Sequence, residues 1–193
     1  MPKSTFTNLQ ANKRKLVQDI CLKEFASYSF AEASVSRIVK NLGIAKGSIY
    51  QYFDDKSDLY AYLIELSLNR KYEILNYIAT KVSDDIYLWL FQTCLVELKF
   101  AREFPEMQKL LNRAELESDS PIRERENKFV EDNLRRFLQG IGQKELALKV
   151  FLISTVKKGI IDKFTDSDLS DQVVNEFINP ITKAIINSVT NQS

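Results

Sequence analysis

Apolar residues recur at three- and four-residue steps along most of the chain, and this spacing predicts helices. The first such stretch covers residues 11–28. A short helix is then expected from an N-cap at Ser34 to Leu42, and Gly43 stands where a left-handed glycine would end it. A third helix is predicted over residues 45–52. Two short helices therefore flank a glycine turn.

The same helical pattern continues to the C-terminus. Asp55 is the expected N-cap of a long helix, Pro105 and Pro121 (after an N-cap at Ser120) are expected at first-turn positions, and Pro180 should kink or split the last helix. The apolar run from Ile86 to Phe91 predicts a segment that is buried on several sides or lines a cavity. The predicted helices of this part cover residues 55–81, 84–117 with a break at Pro105, 121–138, 143–164 and 167–190. The chain is thus expected to be all-α, with about nine helices.

Composition supports helices and narrows the class of protein. Five Gly and four Pro in 193 residues are too few for a β-sandwich or barrel. The polar N-terminus has no signal-peptide pattern, and no stretch reaches the roughly 18 consecutive apolar residues that a membrane span needs. The expectation is a soluble, cytoplasmic protein without a membrane partner.

The absence of histidine argues against an enzyme. It removes the commonest general base and the commonest transition-metal ligand, and the isolated Cys21 and Cys94 are expected to be buried thiols. Glu115 and Glu117 could act as acid and base, but a two-residue spacing on a helix points them apart. No catalytic residue, metal or cofactor is predicted.

Charge divides the chain into two parts of opposite sign. Residues 1–57 hold nine Lys and Arg against five Asp and Glu, whereas residues 58–193 hold 18 against 21. A net charge of +4 on the first part and −3 on the second favours a polyanion-binding head on a mildly acidic body.

The two short helices around Gly43 form a helix-turn-helix pattern, whose second helix enters the major groove of DNA. Its first turn offers a cation at Lys46, a close backbone approach at Gly47 and a hydroxyl at Ser48. An amide side chain such as that of Gln51 can pair with adenine. The flanking Tyr50 and Tyr52 suit phosphates and thymine methyl groups. Lys56, just after the turn, can reach the DNA backbone again.

The stretch from Ser34 to Lys56, SVSRIVKNLGIAKGSIYQYFDDK, closely resembles the DNA-binding motif of the tetracycline-repressor (TetR) family. The resemblance extends over roughly residues 11–65. It implies a DNA-binding domain at 1–57 and a helical effector-binding and dimerisation domain at 58–193. The residues that it places at or beside DNA are Ser36, Arg37, Lys46, Gly47, Ser48, Tyr50, Gln51, Tyr52 and Lys56.

The sequence departs from the family pattern in two places. Ser29 stands where members often have Gly, and Asp54-Asp55 stand where members often have Pro and a small polar residue. The two carboxylates weaken the case for close phosphate contact by that loop. Tyr50 could also pack against the protein and expose only its hydroxyl. The positions expected to be scaffold are Ile38, Leu42, Ile49 and Phe53.

The body has no motif of its own, and the resemblance implies its roles. Candidate residues for a pocket that takes a small, largely hydrophobic effector are Tyr87, Phe91, Cys94, Phe104 and Met107, with ordinary core packing as the alternative. Candidate dimer-interface residues on the last two helices are Val150, Ile160, Phe177, Ile181 and Ile185. A homodimer would present two recognition helices to a palindromic operator in double-stranded DNA.

Three functional hypotheses follow. The first is a DNA-binding transcriptional regulator, a repressor that its effector releases from the operator. The second, an enzyme on a helical fold, lacks the residues for common catalytic chemistry. The third is an interaction module or a DNA-binding protein with no effector, which would have a tightly packed interior at residues 84–138.

Overall fold

A computed structural model describes residues 1–82, 85–116, 121–166 and 170–190, and its regular structure is helical throughout these ranges. The helices are α1 (Ser4–Thr7), α2 (Ala11–Ser27), α3 (Val35–Leu42), α4 (Lys46–Tyr50), α5 (Lys56–Lys81), α6 (Ile86–Glu103), α7 (Pro105–Glu115), α8 (Pro121–Phe137), α9 (Gln143–Phe164), α10 (Asp171–Val173) and α11 (Asn179–Thr190), with a π-helical turn at Val174–Ile178 between the last two. The all-α class is confirmed. The predicted N-cap Ser120 and the start of the helix predicted from residue 167 lie outside the described residues.

The chain forms two compact units. The first unit comprises Met1–Arg70 and Phe104–Asp119, and the second comprises Lys71–Glu103 and Ser120–Ser193. Helix α5 contributes residues to both units, whereas α7 belongs to the first. The functional division between residues 57 and 58 stays a prediction.

In the first unit, α2 packs against α3 and α7, and α3 packs against α4. Phe25 and Cys21 of α2, with Ile38 of α3 and Ile49 of α4, are almost fully buried. Helix α1 was not predicted, because a single apolar residue, Phe6, carries its packing and gives no periodic signal.

The ends of the short helices follow the local rules. The Ser34 hydroxyl accepts a hydrogen bond from the Arg37 amide at 3.4 Å, which confirms this residue as an N-cap. Gly43 has φ of 66°, the left-handed conformation expected where a helix ends. The Asp55 carboxylate accepts from the Asp58 amide at 2.8 Å, so the predicted N-cap of α5 is confirmed as well.

In the second unit, α9 packs against α6, α8 and α11, and α11 also packs against α6. The apolar run at the start of α6 is buried unevenly. Trp89 and Leu90 are fully buried, whereas Leu88 is 39% exposed. The run therefore does not lie inside the unit on all sides. Within the described residues, no helix is long and apolar enough to span a bilayer.

The last predicted helix is divided, as expected from its proline. Ser170 caps α10, a π-helical turn follows, and α11 begins one residue before Pro180. Pro180 has no N–H to donate to the carbonyl of Glu176, so the regular hydrogen-bond ladder cannot pass through this point.

Candidate nucleic-acid interface

The first turn of α4 is the most open part of the helix-turn-helix. Lys46 and Gly47 are exposed, and Ser48 is partly exposed. A Cβ atom added at Gly47 would meet no other atom within 4 Å, so this face is free of the protein. Within the described residues, no hydrogen bond or ion pair occupies the Lys46 ammonium group. This turn can therefore offer a cation, a hydroxyl and an approachable backbone to an anion outside the chain.

The tyrosine and glutamine residues that follow separate into two groups. Tyr50 is 41% exposed and Gln51 is also exposed. Tyr52 is 7% exposed, and its ring lies 5.8 Å from the ring of Phe6. Tyr50 and Gln51 are thus available for external contacts, whereas the ring of Tyr52 is part of the packing. A DNA contact by Tyr52 stays a prediction.

The predicted scaffold positions are mostly core. Ile38, Ile49 and Phe53 are each at most 2% exposed, as expected. Leu42 is only half-buried, because it lies in the last turn of α3 beside the exposed glycine.

Arg37 is held by a buried carboxylate. Its Nε and Nη2 atoms donate to Glu24 Oε1 at 2.9 and 2.6 Å, and Nη2 also donates to the Glu32 carbonyl at 2.7 Å. The guanidinium lies 4.0 Å from the centre of the Tyr28 ring. The hydrogen bonds to Glu24 raise the pKa of Arg37 above its usual value. This geometry joins α2 to α3, whereas the neighbouring Ser36 is exposed.

Lys56 is directed toward the protein. Its ammonium group donates to the carbonyls of Phe30 and Ala33 at 2.7 and 3.1 Å and lies 4.6 Å from the centre of the Phe30 ring. The lysine therefore ties the start of α5 to the segment between α2 and α3. Its predicted contact with the DNA backbone would require these bonds to be exchanged, and it stays a prediction.

Ser29, one of the departures from the family pattern, forms a capping-box-like turn. Its hydroxyl and amide donate to Glu32 Oε2 at 2.7 and 3.2 Å. The hydrogen bond from the Ser29 hydroxyl lowers the pKa of the Glu32 carboxyl. A serine can thus make this turn without the conformational freedom of glycine.

The two unexpected carboxylates are both engaged inside the first unit. Asp54 pairs with the Lys3 ammonium at 2.9 Å, and Asp55 caps α5. Sequence reasoning did not identify Lys3 or Thr5, although both contact the end of α4. No periodic or motif signal marks them.

The predicted pocket residues are divided between the two units, and their role in one pocket stays a prediction. Tyr87, Phe91 and Cys94 belong to the second unit, whereas Phe104 and Met107 belong to the first. The rings of Tyr87 and Phe91 are stacked 5.9 Å apart, and the Tyr87 hydroxyl donates to Asn179 Oδ1 at 2.5 Å. Cys94 is fully buried, and burial raises its thiol pKa to about 12. The full burial of Cys94 and its raised thiol pKa indicate a packed interior at this position rather than an open pocket.

A buried cluster of charges was not predicted. Lys157 Nζ lies 2.7 Å from Glu97 Oε1 and 2.7 Å from Glu126 Oε1, and Lys71 Nζ lies 2.7 Å from Glu97 Oε2. The Tyr72 hydroxyl donates to Glu126 Oε2 at 2.8 Å. A signal existed, because Glu97 and Lys157 interrupt the apolar faces of α6 and α9 with opposite charges.

The predicted dimer residues also divide by exposure. Val150 and Ile160 are buried within the chain, whereas Phe177 is 48% exposed, Ile181 is 36% exposed and Ile185 is half-buried. On α9, the exposed apolar residues are Leu148 and Phe151, which were not predicted. Phe151 also lines a groove of about 240 Å³, together with Asn127, Glu131, Gln143, Leu146, Ala147 and Val150.

Part of the chain is similar in sequence to known bacterial transcriptional regulators. Residues 21–63 match the sequence profile of "Bacterial regulatory proteins, tetR family". A 56-residue stretch is 41% identical to the HTH-type transcriptional regulator SAB2452 of Staphylococcus aureus (strain bovine RF122 / ET3-1), and it covers 29% of this chain and 30% of that protein. The match thus spans less than a third of the relative's length.

Solved structures resemble the whole chain. A TetR family transcriptional regulator from Chloroflexus aurantiacus J-10-FL aligns over 98% of this chain and 95% of its own, with a TM-score of 0.68 and 23% identity. SmeT, the repressor of the Stenotrophomonas maltophilia multidrug efflux pump SmeDEF, aligns over 95% and 90%, with a TM-score of 0.66 and 16% identity. At these identities the likeness establishes a shared fold.

Proposed function

We propose that the chain is a sequence-specific DNA-binding regulator of transcription of the tetR family, because residues 21–63 match the profile of that family and the fold resembles that of a solved TetR family regulator. It would act on double-stranded DNA in the cytoplasm, with α4 in the major groove. The observation that carries this proposal is the open first turn of α4, where the Lys46 ammonium and the Gly47 backbone face away from the protein.

Each exposed residue of α4 has a role that suits its chemistry. Lys46 and Ser48 would bind phosphate or base edges, and the absence of a side chain at Gly47 would let the backbone approach the DNA. Gln51 would read an adenine, and the Tyr50 hydroxyl would donate to a phosphate. Arg37 and Lys56 would mainly keep the three helices of the motif in place, since their charged groups already bind within the first unit.

We further propose that the active form is a homodimer that reads a palindromic operator. The exposed apolar residues of the last two helices support this, because Phe151, Phe177 and Ile181 would bury apolar surface against a second copy. Val150 and Ile160 would support the interface from within their own chain. Two copies of α4 would then lie about one DNA turn apart.

The regulator would be a repressor that a small, largely hydrophobic effector releases. SmeT, which shares the fold, is named as a repressor. An effector that binds better to the conformation that does not fit the operator would shift the population away from DNA. The aromatic pair of Tyr87 and Phe91 in the second unit is the part of the predicted pocket that its geometry supports best.

The test is a fluorescence-polarisation titration of the full chain with its own upstream DNA and with a scrambled duplex. The upstream duplex should bind at least tenfold more tightly. Lys46→Ala should weaken that binding and lower the slope of log K against log salt by about 0.9, because one phosphate contact is lost. Lys163→Ala, an exposed lysine of α9, is the matched control and should change neither quantity.

Equal affinity for both duplexes, together with no effect of Lys46→Ala and Tyr50→Phe, would contradict the proposal. The protein could also discriminate between the duplexes while no hydrophobic ligand changes its melting temperature or its DNA affinity. That result would support the proposed DNA binding and contradict the proposed effector.

A further inference from the structure

Helix α4 cannot be stable by itself. It has five residues, whereas isolated helices shorter than about 12 residues are marginal in water. The last carbonyl groups of a helix also have no partner inside it. At the end of α4 they include the carbonyls of Tyr50 and of the C-cap residue Gln51, and the carbonyl of Tyr52 follows directly in the chain.

One short N-terminal segment binds all three carbonyls. The Lys3 ammonium donates to the Tyr50 carbonyl at 2.9 Å, and the Lys3 amide donates to the Tyr52 carbonyl at 2.9 Å. The Thr5 hydroxyl donates to the carbonyl of Gln51, which lies between them. Three consecutive acceptors are thus satisfied from residues about 46 to 49 positions away in sequence.

An apolar anchor fixes this segment in place. Phe6 is 1% exposed, and its ring centre lies 4.9 Å from that of Phe53 and 5.4 Å from that of Tyr62. The Lys3 charge is balanced by Asp54 at 2.9 Å, just after α4. The segment therefore contacts the end of α4 and the two residues that follow it through a backbone amide and two polar side chains. Its aromatic ring packs just beyond the helix, against Phe53 and Tyr62.

We propose that residues 3–6 form a C-terminal cap that holds α4 in the orientation that reads DNA, with Lys3 and Thr5 as positioning residues. The DNA part of this inference rests on the proposed function. The cap acts through the three carbonyls, so it requires no contact between residues 3–6 and the nucleic acid. It also assigns a role to Asp54, which keeps the Lys3 ammonium near the Tyr50 carbonyl.

The alternative role for Lys3 is a direct bond to a DNA phosphate, and the salt dependence of binding separates the two. Loss of a phosphate contact lowers the salt slope by about 0.9, whereas loss of a positioning contact leaves it unchanged. Substitution of Thr5 tests the cap without the change of charge that a Lys3 substitution brings. Thr5→Val removes the hydroxyl and changes neither the charge nor the approximate size of the side chain.

The experiment compares the full-length wild type with Lys3→Met, Thr5→Val, Thr5→Ser and Thr7→Val. Lys3→Met should weaken binding with an unchanged salt slope, and a slope lower by about 0.9 would contradict the positioning role of Lys3. Thr7 is the matched control, since it is an exposed threonine of the same segment whose hydroxyl donates to the Ser4 carbonyl within α1 at 3.1 Å instead of to a carbonyl at the end of α4. The probe is a duplex that the wild type selects from a randomised pool, with a scrambled duplex beside it. Thr5→Val should bind the selected duplex about five- to tenfold more weakly, with unchanged salt slope and unchanged affinity for the scrambled duplex. Thr5→Ser should restore binding, and Thr7→Val should match the wild type.

Amide hydrogen exchange in the DNA-free protein provides a second readout that does not depend on function. The amides of residues 48–53 should exchange several-fold faster in Thr5→Val than in Thr5→Ser or Thr7→Val. If the exchange rates and the DNA affinities of Thr5→Val equal those of Thr7→Val, the inference is overturned. If instead the wild type does not discriminate between the duplexes, the proposed function fails and the DNA role of the cap fails with it, while the exchange rates still decide whether the cap exists.

Discussion

The ammonium group of Lys157 lies 2.7 Å from a carboxylate oxygen of Glu97, and the two side chains are 1% and 4% exposed. Glu126 and Lys71 complete a cluster of two positive and two negative charges inside the second unit. Such a cluster contributes little net stability when intact, because desolvation offsets the attraction, but loss of one member leaves a buried charge without its partner.

Lys157→Met should therefore destabilise the protein by about 3–5 kcal/mol, as measured by urea unfolding. Both carboxylates would then lose the cation that lies 2.7 Å from each of them, while Lys71 remains nearby. The matched control is Lys158→Met, which changes a half-exposed lysine that pairs with Asp162 at 3.6 Å on the same helix. It should cost no more than about 1 kcal/mol. Equal effects of the two substitutions would contradict a structural role for the cluster.

The same cluster should make stability depend on pH in the acidic range. Burial opposes ionisation of Glu126, but the Lys157 and Lys71 ammonium groups outweigh it and lower its pKa to about 2. A folded-state pKa below the unfolded value of about 4.3 stabilises the folded state above that value, and the contribution is lost as the pH falls toward 2.

Between about pH 4.3 and 2, the wild type should lose on the order of 3 kcal/mol that Glu126→Gln does not lose. Urea titrations at a series of pH values measure this difference. Glu124→Gln, two residues away and exposed, should keep the wild-type pH dependence. Parallel curves for the wild type and Glu126→Gln would show that Glu126 does not titrate with a lowered pKa.

The two glycines of the helix-turn-helix should respond oppositely to alanine. Gly43→Ala forces a side chain into φ of 66° and should cost about 1–2 kcal/mol, although the added methyl group meets no atom within 4 Å. Gly47→Ala lies within α4 and in open space, so it should leave stability unchanged or raise it by up to about 1 kcal/mol.

Gly47→Ala should lower the affinity for DNA even though it does not lower stability. Its new methyl group would stand between the α4 backbone and the DNA and should weaken operator binding at least tenfold, while thermal unfolding shows an intact fold. Full affinity in a well-folded Gly47→Ala protein would argue against a close approach of the backbone at this position.

The proposed dimer predicts that a charged residue at an exposed apolar position of the last helices lowers the mass of the particle in solution. Ile181→Glu and Phe177→Glu should convert a dimer to a monomer at micromolar concentration, since a buried unpaired carboxylate is costly. Light scattering after size-exclusion chromatography measures the mass. Tyr77→Glu, at a 61% exposed aromatic residue of α5, should leave it unchanged. A wild type that is monomeric at this concentration would rule out the proposed interface.

Helix boundaries were largely predictable, because the interactions that set them are local. The Ser34 hydroxyl reaches an amide three residues away, Gly43 needs only its own φ angle, and Pro180 blocks a bond to the carbonyl four residues before it. Helix α1 was missed for the converse reason, since its stability depends on Phe6 meeting rings more than 40 residues away.

The helical class, the helix-turn-helix and the residues of its open turn could be predicted from the sequence, because periodicity, capping and motif spacing are encoded within a few turns of chain. Which candidate side chains are available at that turn depends on tertiary contacts. Arg37 and Lys56 were expected to reach DNA, yet their partners, Glu24 and the carbonyls of Phe30 and Ala33, lie 13 to 26 residues away. A long, flexible cation can turn outward to a phosphate or inward to a carbonyl, and its direction depends on which acceptors folding brings within about 3 Å.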